Sequence, residues 1–185
     1  MRGYWAFISI SVLVFLFVLF VPVPTPVYGE GLKAQIVGVK IPENRRPVVT
    51  FKISDAKGNP LDRSELGEIR FTIAKVQVAV DGEASYYNYV LSKVAGKEYI
   101  YKGERKKPVM AETLQPDYGR EGTFASAGRG IFTYTFKTVL PPDYDKQATH
   151  VVGGELTRDR RKYVVNPLYE FVPAGGKLTV RRATL

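Results

Sequence analysis

The feature that most constrains this chain is an apolar–polar alternation with a period of two. It is clearest from Ile131 to Lys137, where Phe132, Tyr134 and Phe136 share one parity and Thr133, Thr135 and Lys137 the other. Successive strand side chains point to opposite faces, so the three aromatics share a face and can bury on the order of 450 Å². Val49, Phe51 and Ile53 alternate with Thr50 and Lys52 in the same way. Ile69, Phe71 and Ile73 do so with Arg70 and Thr72. The apolar parity then switches to Ala74, Val76, Val78 and Val80, which predicts a bulge or a bend into a second sheet.

Turn chemistry punctuates the alternation. Asp55 to Pro60 and Asp81-Gly82 read as turns, and Pro141-Pro142 ends a strand. Extended segments are expected at Tyr86 to Val90, Tyr99 to Tyr101, Tyr163 to Val165 and Leu168 to Val172. His150-Val-Val152 and Glu155-Leu-Thr157 form a strand interrupted by Gly153-Gly154, and Lys177 to Ala183 a closing strand. Residues 108–130 are rich in Gly and Pro and read as loop, with a small hairpin around Gly122-Thr-Phe124. One short turn of helix is expected within 60–68 or 143–149. Seven to nine short strands follow, without a sustained helical period. The fold class is all-β: an antiparallel, immunoglobulin-like β-sandwich, with a small β-barrel as the alternative.

Arg2 precedes an apolar run from Tyr4 to Val21, followed by Pro22, Pro24, Pro26 and the small-residue segment Val27-Tyr28-Gly29. This predicts a signal peptide over residues 1–29, cleaved before Glu30, and an exported domain over 30–185. The apolar run spans about 27 Å as a helix, close to the hydrocarbon thickness of a bilayer, so an uncleaved anchor is the alternative. Membrane contact is then expected only through residues 4–21. The destination is the periplasm, the outer cell surface or the extracellular space.

Donor chemistry excludes much. The chain has no Cys and one His. Disulfides, thiolate metal sites and covalently attached haem are therefore excluded. His150 is either a haem-proximal or proton-handling group, or a polar residue at a strand start making one local hydrogen bond. Asp143 and Asp145 near His150, or Asp81 and Glu83 with Asp55 or Asp62, are carboxylates that read as turn residues sooner than metal ligands. No metal site, cofactor or catalytic residue is assigned. No nucleophile elbow or nucleotide loop is present, which leaves carboxylate and tyrosine chemistry as the only enzymatic options.

Residues 30–185 carry 26 basic and 18 acidic side chains. Lys102, Arg105, Lys106, Lys107, Arg158, Arg160, Arg161, Lys162, Arg181 and Arg182 fall in predicted loops or near the end, with 102–107 as a basic loop. They are either solvated loops or a surface that attracts an acidic partner, lipid headgroups or an anionic polymer. Export and core-like aromatics argue against nucleic acid. A solvent-facing row of Tyr86, Tyr87, Tyr89, Tyr99 and Tyr101 would favour a binding module for a surface polysaccharide or protein.

Several segments in order resemble one family. These are Val48 to Pro60, Ile69 to Lys75, Gly122-Thr-Phe124, Gly130 to Lys137, Thr149 to Gly154 and Asn166 to Gly175. Together the stretch from Pro47 to about Ala183 resembles the N-terminal β-domain of the OmcA/MtrC-type outer-surface decahaem c-type cytochromes. The resemblance implies a β-domain placed beside haem-bearing segments in a system that moves electrons to extracellular acceptors. In such relatives haem c sits at C-x-x-C-H motifs, and this sequence has none. Haem c is thus implied for relatives or for a partner. The implied partner is a multihaem cytochrome or an outer-membrane porin–cytochrome complex, and the implied role is a non-haem structural or docking module.

Overall fold

The computed structural model places the alternating segments in two facing antiparallel sheets and describes residues 27–29, 31–78, 83–108, 110–118 and 121–179. In chain order these form β1 (Val27–Gly29), β2 (Leu32–Lys40), β3 (Val48–Ser54), a 3-10 turn (Arg63–Glu65), β4 (Leu66–Val78) and β5 (Ala84–Asn88). Next come β6 (Leu91–Ala95), β7 (Tyr99–Tyr101), β8 (Glu104–Lys106), β9 (Met110–Leu114) and β10 (Asp117–Tyr118). The last are β11 (Thr123–Gly128), β12 (Ile131–Thr135), β13 (His150–Arg158), β14 (Tyr163–Val165) and β15 (Leu168–Phe171). No α-helix occurs among the described residues. The leader up to Pro26, the turn at Asp81-Gly82, Arg181, Arg182 and the end of the expected closing strand lie outside them.

One sheet runs β1-β2-β3-β12-β11. The other runs β10-β4-β13-β14, with β5 on the β10 edge of β4 and β15 on the β14 edge of β13. The core lies between them. Leu32, Ile36, Val49, Phe51 and Tyr134 from the first sheet meet Ile69, Phe71, Ile73, Val152 and Leu156 from the second. Aromatic rings bridge the sheets: Phe71 stacks on Tyr134 with centroids 5.3 Å apart and meets Phe51 at 5.4 Å. Such contacts contribute about 1 kcal/mol each beyond the area they bury. Phe132, Tyr134 and Phe136 all face this core, as their parity predicts.

Several expectations need correction. The parity switch in β4 is neither a bulge nor a bend. Val152 pairs with Ile73 and Val151 with Ala74 without a register break. Both faces of β4 are covered there: Ile73 enters the main core, while Ala74 and Val76 pack with Val151 and Ala84 in a small second cluster. β13 is not interrupted by its glycines. A Cβ on Gly154 would lie 2.9 Å from the Phe71 ring, so close packing against an aromatic demands glycine here. Residues 177–179 form no strand; Thr179 is instead tied to Thr149, its N–H donating to Thr149 Oγ1 at 2.8 Å. The helical turn does occur, at Arg63–Glu65, whereas 143–149 forms turns. β2 was not anticipated; its inward residues Leu32, Ala34 and Ile36 precede a register shift at Gly38 that obscures the period.

The expected strand count is too low. Fifteen strand segments occur among the described residues, largely because a long hairpin adds strands at Leu91–Ala95, Glu104–Lys106, Met110–Leu114 and Asp117–Tyr118, the last two in a stretch expected to be loop. Lys102 to Lys107 is not a basic loop. Only Lys102-Gly103 turns, and Glu104–Lys106 is a strand.

Candidate functional site

The hairpin arises from local backbone chemistry. Lys102 and Gly103 both adopt positive φ, 51° and 80°, between the paired residues Tyr101 and Glu104. This is the two-residue turn whose twist matches its strands, and glycine at 103 accepts it without strain. β7 pairs with β8, and β6 pairs with β9 from Leu91↔Leu114 to Ala95↔Met110. The result is an arm that leaves the edge of β4. Every residue from Leu91 to Arg105 is exposed, so the arm has no core of its own.

Each root of the arm is held by a buried polar contact. At the outgoing root, Tyr89 donates its N–H to Ile73 O and places its ring 5.7 Å from that of His150, nearly parallel at 7°. His150 is fully buried; Nδ1 donates to Ala148 O at 2.9 Å, which leaves Nε2 to accept the Tyr89 hydroxyl at 3.1 Å. Tyr144 and Phe171 complete the ring's surroundings. Burial pushes the His150 pKa below its ordinary 6.5, and burial raises Tyr89 to about 12. At the returning root, buried Asp117 accepts the Tyr134 hydroxyl, the Thr138 N–H at 3.1 Å and the Thr138 hydroxyl at 3.3 Å. Burial, then the bond to Asp117, drives the Tyr134 pKa well above the usual tyrosine range.

The predicted basic residues separate into two groups. Lys102, Arg105, Lys106 and Lys107 lie at the far end of the arm. There Arg105 meets Glu98 at 3.6 Å, Lys106 meets Glu104 at 2.6 Å, and Lys102 sits over the Tyr101 ring. The second group follows β13. Arg158 binds Glu65 at 3.0 Å and Gly31 O at 2.8 Å, while Arg161 bridges Glu68 and Glu155, which also bind Arg70. Lys162 lies over the Tyr163 ring and Arg160 is exposed. Much of this second group's charge is therefore neutralised within the body.

Tyr86, Tyr87, Tyr99 and Tyr101 are exposed, whereas Tyr89 is half-buried on His150. Two of the carboxylates considered as ligands serve turns: Asp55 accepts from Asn59 twice at 2.8 Å, and Asp145 accepts the N–H groups of Gln147 and Ala148; Asp81 lies outside the described residues. No cluster of three or more His, Asp or Glu side chains suited to a metal occurs among the described residues. Haem c fits poorly here, since no thiol exists and both His150 nitrogens are engaged inside the body.

No protein-family model matches the sequence, and no curated protein matches it. The fold does have relatives among solved structures. The outer membrane decaheme cytochrome OmcA superposes with a TM-score of 0.65 at 17% identity, over 82% of this chain and 24% of that one. MtrC from Shewanella baltica OS185 gives 0.54 at 16% identity, again over 82% and 24%. The chain spans about a quarter of the length of these proteins. Its fold is thus a distant, partial match to the OmcA/MtrC decahaem cytochromes.

The asparagine-free turn Lys102-Gly103 and the Tyr–His contact were missed in the sequence. Gly103, two residues after the extended run Tyr99 to Tyr101, was the available signal for the arm. Tyr89 and His150 are 61 positions apart, and no local pattern joins them.

Proposed function

We propose that this chain is a non-enzymatic, haem-free docking module of an exported multihaem electron-transfer system at the outer cell surface. Residues 1–29 direct export and residues 30–185 act as one unit. The observation that carries this reading is a fold like part of two decahaem cytochromes in a chain whose donors suit no covalent haem. The module then holds or positions a haem-bearing partner, or a porin–cytochrome complex, and conducts no electrons itself. Lys102, Arg105, Lys106 and Lys107 on the arm, Arg160 and Lys162 after β13, and Arg181 and Arg182 supply attraction to anionic partners, while Arg158 and Arg161 are largely offset by Glu65, Glu68 and Glu155. Deleting the gene should slow electron delivery to an extracellular acceptor and lower surface levels of the partner cytochrome. Unchanged rates and levels would remove this reading.

A second reading has its own support. The exposed Tyr86, Tyr87, Tyr99 and Tyr101 suit a module that binds a surface polysaccharide or protein. Stripping surface glycans would release the chain from cells under this reading and leave it in place under the first.

A further inference from the structure

A two-stranded ribbon is marginal in water unless something covers it. The arm exposes apolar groups on both of its faces. In β7, Tyr99 and Tyr101 point to one side and Ile100 to the other, and Ile100 is 73% exposed. A flat platform would concentrate apolar groups on one face. Apolar groups on both faces fit a tip surrounded by its partner. Just behind and around the tip, five basic side chains stand against two acidic ones between Lys97 and Lys107. Glu98 and Glu104 face Arg105 and Lys106, and among the described residues Lys97, Lys102 and Lys107 have no carboxylate in salt-bridge range. This charge opposes pairing of two arms from two copies, because lysines on an edge strand repel a like-charged strand.

From these features we infer that the arm tip seats in an anionic lipid surface. Tyr99, Ile100 and Tyr101 enter the headgroup–acyl boundary, and the cations engage lipid phosphates. Tyrosine suits this depth because its ring is apolar and its hydroxyl stays wet. Lys and Arg near the surface attract acidic headgroups, and their long stems let the charge reach outward. The backbone stays at interfacial depth, where water satisfies the free ribbon edges. This adds a membrane contact to the one that residues 4–21 would make. It narrows the docking proposal by leaving the basic groups outside the arm to face a protein partner, and its test involves no cytochrome, so the two can fail separately.

The sequence supplies a reporter. Trp5 is the only tryptophan, so a full-length Trp5→Phe, Ile100→Trp chain carries one indole, at the arm tip, unaffected by insertion of the leader. With vesicles of phosphatidylcholine and phosphatidylglycerol, its emission should shift to the blue and be quenched by acyl-brominated lipid. Phosphatidylcholine alone, or adding Lys102→Glu and Lys107→Glu, should weaken that response about tenfold or more. In the unsubstituted chain, anionic vesicles should slow tryptic cleavage after Lys97 and Lys102 about tenfold, which tests the natural arm directly. An unshifted indole and unprotected arm on anionic vesicles would overturn the inference. So would a tip that responds to polyglutamate or polygalacturonate but not to vesicles, since that assigns the arm to an acidic protein or polysaccharide.

Discussion

The Tyr89 hydroxyl and His150 Nε2 lie 3.1 Å apart beneath nearly parallel rings, and this contact fixes the strand from which the arm departs. His150 is neutral in this arrangement: one nitrogen donates to Ala148 O and the other accepts from Tyr89. Protonation would remove the acceptor and leave a charge in the core.

Stability should therefore fall in acid. The folded His150 pKa lies below its unfolded value of 6.5, so the unfolded chain binds the proton first. The contribution is complete above about pH 6.5 and is lost progressively as pH falls from there to the depressed folded value. Urea midpoints measured between pH 8 and 5 should decline, and His150→Phe should flatten this component. A slope unchanged by that substitution would refute the assignment.

Tyr89→Phe should cost about 1–2 kcal/mol, because it leaves His150 Nε2 buried without a donor. Hydrogen exchange should rise at Tyr89 and Val90 more than in β12. Equal protection in both variants would mean that the hydroxyl does not hold the root.

Asp117→Ala should be more damaging. It removes the acceptor that the Tyr134 hydroxyl and the Thr138 N–H share, and we expect a loss of about 2–4 kcal/mol. Chemical denaturation measures the loss, and faster exchange in β9 and β10 would locate it at the returning root.

Glycine substitutions separate packing from propensity. Gly154→Ala places a methyl 2.9 Å from Phe71 and should cost about 1–3 kcal/mol. Gly38→Ala meets nothing within 4 Å and should be nearly neutral. Arg160 has φ 54° and sits between Asp159 and Arg161, also left-handed; Arg160→Gly should therefore stabilise by about 1 kcal/mol. Thermal unfolding of the three variants tests the ranking.

What the sequence reveals follows the range of the forces involved. Phe132, Tyr134 and Phe136 announce their strand because one face is buried and the other wet. The arm offers no such contrast: Tyr99, Ile100 and Tyr101 are all exposed, so burial does not divide its two faces. Gly153 and Gly154 look like a break locally, yet Phe71 on the neighbouring strand explains Gly154. His150 is visible as the single imidazole, but its partner becomes apparent only when β5 and β13 flank β4. Arg158 and Arg161 read as free cations until Glu65, Glu68 and Glu155 are brought beside them.

Direct binding tests the central claim. The full chain should be titrated against a purified outer-membrane decahaem cytochrome at low and high ionic strength. The account predicts saturable binding at low salt that weakens about tenfold or more as salt rises, as expected for a basic module meeting an anionic partner. No binding at low salt, or an affinity indifferent to salt, would contradict it.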